Sequence, residues 1–130
     1  MSPAIIRQRA EALVIFATGL ALYWHWSDTV RWPLAIAIFF APDLSLLGYL
    51  IGPKAGAFIY NVVHVYALGA LLLTVGVLAS LPYLAAAGAL CLAHAGFDRM
   101  LGYGLKLSAG FLFTHLGEIG RRAQNGPKIE

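Results

Sequence analysis

Charged side chains are scarce in this chain. They make up 12% of its 130 residues, and the formal net charge is only +3, whereas about a quarter of the residues in an ordinary soluble domain are charged. The few basic residues lie mainly near the chain ends, so they form no nucleic-acid-binding patch, and we expect no nucleic acid partner. The only cysteine, Cys91, excludes an intramolecular disulfide, and its apolar neighbours indicate a packed thiol without a redox role.

Apolar residues are correspondingly abundant. They make up 60% of the sequence, and the mean hydropathy is +0.76, which predicts an integral membrane protein. The length fits one domain over residues 1–130 with about four spans of roughly 20 residues each. The fold class that follows is all-α, a bundle of four transmembrane helices with short connections. The expected spans are approximately residues 5–26, 32–51, 55–80 and 82–104.

The distribution of positive charge predicts the orientation. With four spans, both termini and the turn at 52–54 share one side, and that side carries Arg7, Arg9, Lys54, Lys106, Arg121, Arg122 and Lys128. The other side has Arg31, which Asp28 offsets. Because positive residues collect on the cytoplasmic side, we expect cytoplasmic termini and contact with membrane lipids. Residues 107–122 contain too short an apolar run to cross, so we expect an interfacial or re-entrant segment there.

Every expected span carries a polar side chain that is costly in hydrocarbon and therefore faces the bundle interior. These side chains are Glu11 in the first span, Asp43 in the second, Asn61 and His64 in the third, and His94, Asp98 and Arg99 in the fourth. Counted at about 1.5 Å per residue, Glu11, Asp43, His64, His94 and Asp98 lie about 9–15 Å from the cytoplasmic ends of their helices. Agreement in depth among four separate helices predicts a shared polar cavity that opens to the cytoplasm.

Spacing within the helices supports the same cavity. His94 and Asp98 are four residues apart and project from one helix face, as do Tyr60 and His64. Pro42 lacks an amide proton, so it frees a backbone carbonyl near Ile38 and lets the helix bend beside Asp43. Non-helical backbone at membrane depth is tolerated where it lines such a cavity.

Imidazole and carboxylate groups together are typical ligands of zinc, manganese and iron. We therefore take Asp43, His64, His94 and Asp98 as candidate ligands of a divalent metal. Glu11 is the candidate general base, and Arg99 or Lys106 is the candidate group that holds an anionic head group. Candidate substrate-binding residues are Asn61, Tyr103 and His115. No single stretch matches a stringent motif such as HExxH.

Structural interpretations of the same residues stay open. His64 is equally well explained as a core histidine bonded to Tyr60 or Asn61. Asp98 and Arg99 are compatible with an interfacial ion pair, but adjacent residues face different ways, so Arg99 can also pair elsewhere. Glu11 can pair with a nearby cation, and His115 suits an interface.

Four functions fit these features. The leading hypothesis is a metal-dependent hydrolase that acts on a lipid or lipid-like substrate from the cytoplasmic side. A second is a proton-coupled carrier or ion pathway, which four short helices would form only as a homo-oligomer. A structural membrane subunit is the third. The fourth is a haem protein with His64 and His94 as axial ligands, although carboxylates are poor neighbours for a haem.

Two long strings, APDLSLLGYLIGPKAGAFIYNVVHVYA (41–67) and AHAGFDRMLGYGLKLSAGFLFTHLG (93–117), resemble a family of small bacterial integral membrane proteins, domain of unknown function 4260. The resemblance covers nearly the whole chain and implies a four-helix protein of the bacterial inner membrane. It implies no activity. The pattern that it singles out comprises Asp43, Tyr49, Asn61, His64, His94, Asp98, Arg99, Tyr103, Lys106, Thr114 and His115.

Overall fold

The computed structural model of the protein describes residues 2–105, 113–114 and 117–118. Over this part of the chain the backbone is almost entirely helical, which confirms the all-α class. The helices are α1 (Pro3–Trp24), α2 (Trp32–Phe40), a 3₁₀ helix (Ala41–Leu50), α3 (Pro53–His64), α4 (Tyr66–Leu78) and α5 (Pro82–Met100). Two short strands, β1 (Phe113–Thr114) and β2 (Gly117–Glu118), pair antiparallel.

Proline sets the start of most of these helices. Pro3, Pro33, Pro53 and Pro82 each occupy the first turn of a helix, where the missing amide proton costs nothing and the fixed φ angle favours a helix. At the start of α1 the Ser2 hydroxyl also accepts a hydrogen bond from the Ile5 amide, at 3.3 Å, which caps an otherwise unpaired backbone donor.

The four expected spans meet different outcomes. Helices α1 and α5 coincide with the first and fourth but do not by themselves meet the criterion for a membrane-crossing helix, whereas the second and third are each divided in two. Among the described helices, the stretch Trp32–Leu50 is long and apolar enough to cross a membrane. The stretch 53–78 qualifies as a second only if α3 and α4, which are bent by 44°, form one span. Of the expected interfacial segment at 107–122, only the two strands lie within the described residues.

Helix α5 is the centre of the fold and packs against α1 on one side and α4 on the other. Glycines allow both close approaches. A Cβ on Gly19 of α1 would lie 2.7 Å from the backbone nitrogen of Ala93, and one on Gly88 of α5 would lie 2.2 Å from that of Leu73 in α4. Such small-residue contacts replace the hydrophobic effect as the main source of helix association in a membrane. Alanines of α5, among them Ala85, Ala86, Ala89 and Ala93, are fully buried.

Candidate metal centre

Four side chains from three helical elements converge at one point. The Nε2 atoms of His64 and His94 are 3.2 Å apart. The Asp43 Oδ1 atom lies 3.4 Å from the first and 3.1 Å from the second. The Asp98 Oδ2 atom lies 3.4 and 3.3 Å from the same two nitrogens. All four atoms lie within 4.8 Å of one another, so the residues that the sequence singles out as candidate ligands form one cluster.

Asp43 reaches the cluster from a change of helix type. Pro42 cannot donate to the Ile38 carbonyl, which instead accepts from the Ala41 amide three residues later. The chain continues as a 3₁₀ helix of ten residues, an unusually long run for this tighter geometry. Where the sequence predicts a bend beside Asp43, the structure has a change from α-helix to 3₁₀ helix within the stretch Trp32–Leu50.

His64 reaches the cluster at a second interruption, which the sequence analysis missed. Val65 has an extended backbone (φ −82°, ψ 146°) and separates α3 from α4, so the expected span over 55–80 is made of two helices. Interrupting a helix leaves carbonyls without their usual partners. The Arg99 guanidinium donates a hydrogen bond to the His64 carbonyl at 2.9 Å, and it lies 4.9 Å from the centre of the Tyr66 ring.

His94 and Asp98 lie one turn apart on an unbroken part of α5, as their spacing predicts. Rings of α2 hold the His94 imidazole in place: the Phe39 ring centre lies 5.1 Å from it, edge-on, and that of Phe40 lies 6.3 Å from it. The His94 Nδ1 atom is buried and has no hydrogen-bond partner among the described residues. Aromatic packing therefore orients this ring where a hydrogen bond usually would.

His64 is oriented in the opposite way, by a hydrogen bond and a stacked ring. Its Nδ1 atom lies 2.8 Å from the Tyr60 carbonyl, and the two aromatic rings stack with centres 3.7 Å apart. A carbonyl only accepts, so Nδ1 carries the proton, and the Nε2 atom of the neutral ring presents a lone pair to the cluster. The Tyr60 hydroxyl donates to Asp98 Oδ2 at 3.3 Å. The core-histidine interpretation and the ligand interpretation are thus compatible.

Counting protons shows how strongly the cluster favours a cation. Two carboxylates and the His64 Nε2 atom supply only lone pairs, so neutral His94 has at most one proton to offer the other three atoms. One proton does not satisfy five nitrogen–oxygen and nitrogen–nitrogen contacts of 3.1–3.4 Å. Two carboxylates held this close also repel each other in a medium of low dielectric constant. A bound cation removes both costs.

The distances also fit a small transition metal ion. Bonds of about 2.0–2.1 Å to a tetrahedral zinc ion separate neighbouring donor atoms by about 3.3–3.4 Å. Five of the six pairs in the cluster are 3.1–3.4 Å apart. Two nitrogen and two oxygen donors suit zinc, manganese or iron. The donor set fits a metal without moving any of the four side chains far.

The cluster is enclosed on one side and open on the other. The His64 and His94 side chains are 2% and 1% exposed and that of Asp98 is 16% exposed, whereas the Asp43 side chain is 42% exposed. Helix α5 and α3 therefore wall off three ligands, and Asp43 forms the rim. Water or a substrate would reach the centre past Asp43.

The same distances argue against the haem hypothesis. Two imidazoles on opposite sides of one iron place their nitrogens about two bond lengths, roughly 4 Å, apart with the porphyrin plane between them. Here the two nitrogens are 3.2 Å apart. Carboxylate oxygens of Asp43 and Asp98 occupy the space beside them, so no gap for a porphyrin exists.

The remaining candidate site residues that the structure describes are Glu11, Asn61, Arg99 and Tyr103, and they lie outside the four-residue cluster. Glu11, the candidate general base, is exposed, and its described electrostatic neighbour is Tyr66. Arg99 is 9% exposed and donates a hydrogen bond to the His64 carbonyl. Asn61 is half-buried, and Tyr103 is 44% exposed, with its amide bonded to the Asp98 carbonyl. Lys106 and His115 lie outside the described residues.

Sequence reasoning missed the aromatic contribution to the site. Phe39 and Phe40 pack on His94, although they look like ordinary apolar residues of a span. Their position shortly before Pro42 and Asp43 in the chain is the one signal that links them to the site. Tyr60 and His64 lie on one helix face as predicted, and their rings stack, while the Tyr60 hydroxyl donates to Asp98.

The described residues form a predominantly helical protein with a histidine–aspartate cluster that could hold a metal ion. The model of the family DUF4260, a domain of unknown function, matches residues 6–119. The chain therefore belongs to this family. No curated protein and no solved structure matches it.

Proposed function

We propose that the protein binds one divalent transition metal ion through Asp43, His64, His94 and Asp98. The observation that carries this proposal is the convergence of four donor atoms that share at most one proton while the histidines are neutral. Outer-shell contacts support it as well: metal-binding histidines usually donate their second nitrogen to a carbonyl, as His64 does. Zinc is the first candidate because of the distances, with manganese and iron next.

We propose that the part of the protein that holds this centre lies within a membrane, namely the bacterial inner membrane. Only 17% of the most apolar window in Trp32–Leu50 is buried inside the protein, whereas the core helix of a soluble protein would be mostly buried. Large apolar side chains are exposed on other helices too, such as Val14, Phe58 and Leu71. Surfaces of this kind need lipid or a partner to cover them. The basic residues at both chain ends support cytoplasmic termini.

The reaction class that we propose is hydrolysis of a lipid or lipid-like substrate. A divalent metal polarises a carbonyl or phosphoryl oxygen and lowers the pKa of water. Four protein ligands saturate a tetrahedral ion, so chemistry requires either a fifth position or the departure of one ligand. Asp43 is the ligand suited to leave, because it is the most exposed of the four. Once free, its carboxylate would accept a proton from the attacking water.

One observation favours a carrier as the second candidate. Both Asp43 and His64 lie at interruptions of apolar helices, and broken helices that meet near mid-membrane typify the ion sites of secondary transporters. A carrier and a hydrolase differ in what Asp43→Asn does. Uptake of Zn²⁺ or Mn²⁺ into liposomes that contain the protein, abolished by this substitution, would favour the carrier.

Metal analysis of the purified protein tests the central proposal. We expect about one equivalent of a transition metal per chain, or its uptake when the apoprotein receives Zn²⁺ or Mn²⁺. His94→Ala should abolish binding, whereas His25→Ala should not, because His25 follows α1 and contacts Trp26 away from the cluster. A protein that neither contains nor takes up metal would refute the proposal. A purely structural subunit predicts this result.

A further inference from the structure

The strongest feature outside the metal cluster is an apolar cavity of about 260 Å³ between α1, α2 and α5. Its surface is entirely apolar. The lining residues are Phe16, Leu20, Tyr23, Trp32, Ala35, Ile36, Phe39, Phe40 and Leu90. The one hydroxyl among them, that of Tyr23, already donates its hydrogen bond to the Val30 carbonyl. The cavity therefore offers no partner to a polar molecule.

The cavity adjoins the metal centre through shared side chains. Phe39 and Phe40 line it and also pack against the His94 imidazole. Leu90, another lining residue, precedes His94 by four residues and projects from the same face of α5. A molecule in the cavity thus has one end against the rings that hold His94, and the 3₁₀ helix that carries Asp43 begins directly after these rings.

Its size and outlet indicate what occupies it. An apolar protein cavity of about 150 Å³ holds a six-carbon ring, so one of 260 Å³ accommodates a hydrocarbon segment of about ten carbons. The outer wall belongs to α2, in the apolar stretch Trp32–Leu50. On that wall Trp32, Ile36 and Phe40 are 69%, 51% and 51% exposed. An opening on this side meets the hydrocarbon of the bilayer.

We infer that the cavity binds the hydrocarbon chain of an amphiphilic substrate and places its ester or phosphoester group at the metal centre. This inference rests on the proposed metal-dependent function and assigns its substrate class: a membrane amphiphile that presents one chain to the protein. The chain enters laterally between α1 and α2, and the polar group meets the metal at the Asp43 side. Phe39 and Phe40 then contact both the bound chain and the His94 ligand.

Photocrosslinking with a defined probe tests the inference. The probe is a decyl hydroxamic acid with a diazirine at the end of its chain, added to the metal-loaded protein in nanodiscs. We expect labelled peptides from residues 16–23 and 32–40, with labelling that requires the metal. Ile36→Trp fills the cavity and should lower labelling about fivefold or more. Leu34→Trp is the matched control, since Leu34 is 47% exposed on the same helix and does not line the cavity.

The outcomes separate this inference from the proposed metal site. Full metal content with labelling spread evenly over the lipid-exposed helices, or equal labelling in Ile36→Trp, would overturn the inference and leave the metal site standing. Cavity labelling that is the same without metal would show a bound bulk lipid chain and would also overturn it. Absence of metal binding in the unaltered protein would overturn both.

Discussion

The two continuous helices and the two interrupted ones divide the work of this molecule. Helices α1 and α5 run unbroken for 22 and 19 residues and pack through glycine and alanine. The apolar stretches 32–50 and 53–78 each change direction or helix type at their middle, and each change presents one ligand, Asp43 or His64. Helix α5 is continuous but has both roles, since its small residues carry the packing and its last two turns supply His94 and Asp98. The regular helices therefore provide the close packing of the protein, and the interrupted stretches provide the other two ligands of the metal centre.

The largest expected effect is a loss of stability in the packing of the helices, at the contact between α4 and α5. Gly88→Leu would place a Cβ 2.2 Å from the backbone nitrogen of Leu73, and backbone cannot yield as a side chain can. We expect a loss of at least about 3 kcal/mol in stability, or no folded protein. Thermal unfolding in detergent measures it. Ala87→Leu, at a half-buried neighbouring position, should cost far less, and equal losses in the two variants would contradict the close packing of α4 and α5.

The next effect lies at the first interruption. Asp43→Asn keeps the size of the side chain but removes a charged ligand. We expect metal affinity to fall by more than the 10- to 100-fold that is typical of an outer-shell change, while the metal-free protein becomes slightly more stable because the repulsion from Asp98 is relieved. Competition with a metal-binding dye and thermal unfolding without metal measure the two effects. Asp28→Asn, in the turn between α1 and α2, serves as the control, and unchanged affinity in Asp43→Asn would remove Asp43 from the site.

The second interruption depends on Arg99, which acts through His64. Arg99→Met removes the hydrogen bond to the His64 carbonyl, whose length is 2.9 Å. We expect metal affinity to fall about 10- to 100-fold and the absorption spectrum of bound Co²⁺ to change, because the imidazole is no longer held in place. Arg99→Lys should restore part of the affinity. Arg31→Met removes an exposed arginine at the start of α2 and should alter neither readout. A normal Co²⁺ spectrum in Arg99→Met would show that Arg99 is structural only.

The two interruptions, at Pro42 and at Val65, also differ in how far the sequence predicts them. The ligand set follows from chemistry and depth, since charged groups in apolar helices must find partners, and the i, i+4 pair His94 and Asp98 needs only helical periodicity. Pro42 predicts the first interruption because proline cannot donate the backbone hydrogen bond that continues an α-helix. Nothing in the sequence of residues 61–67, NVVHVYA, predicts the second interruption, at Val65. Val65 leaves the helix because a tertiary contact from Arg99 satisfies the His64 carbonyl, and a contact across 35 residues has no local signature. Depth along a helix does not determine which face a side chain occupies, so the sequence does not predict that Glu11 lies outside the four-residue cluster.

The smallest effect tests whether the enclosed side of the centre tunes its ligands. Tyr60→Phe removes the hydroxyl that donates to Asp98 Oδ2 at 3.3 Å but keeps the ring that stacks on His64. One hydrogen bond to a charged group contributes about 1.5–3 kcal/mol at ideal length, and this one is long, so we expect metal affinity to change by about tenfold or less. Tyr83→Phe, at an exposed position on α5, is the control. A loss as large as that of Asp43→Asn would mean that Tyr60 holds Asp98 in place and that the enclosed side, like the interrupted helices, shapes the centre.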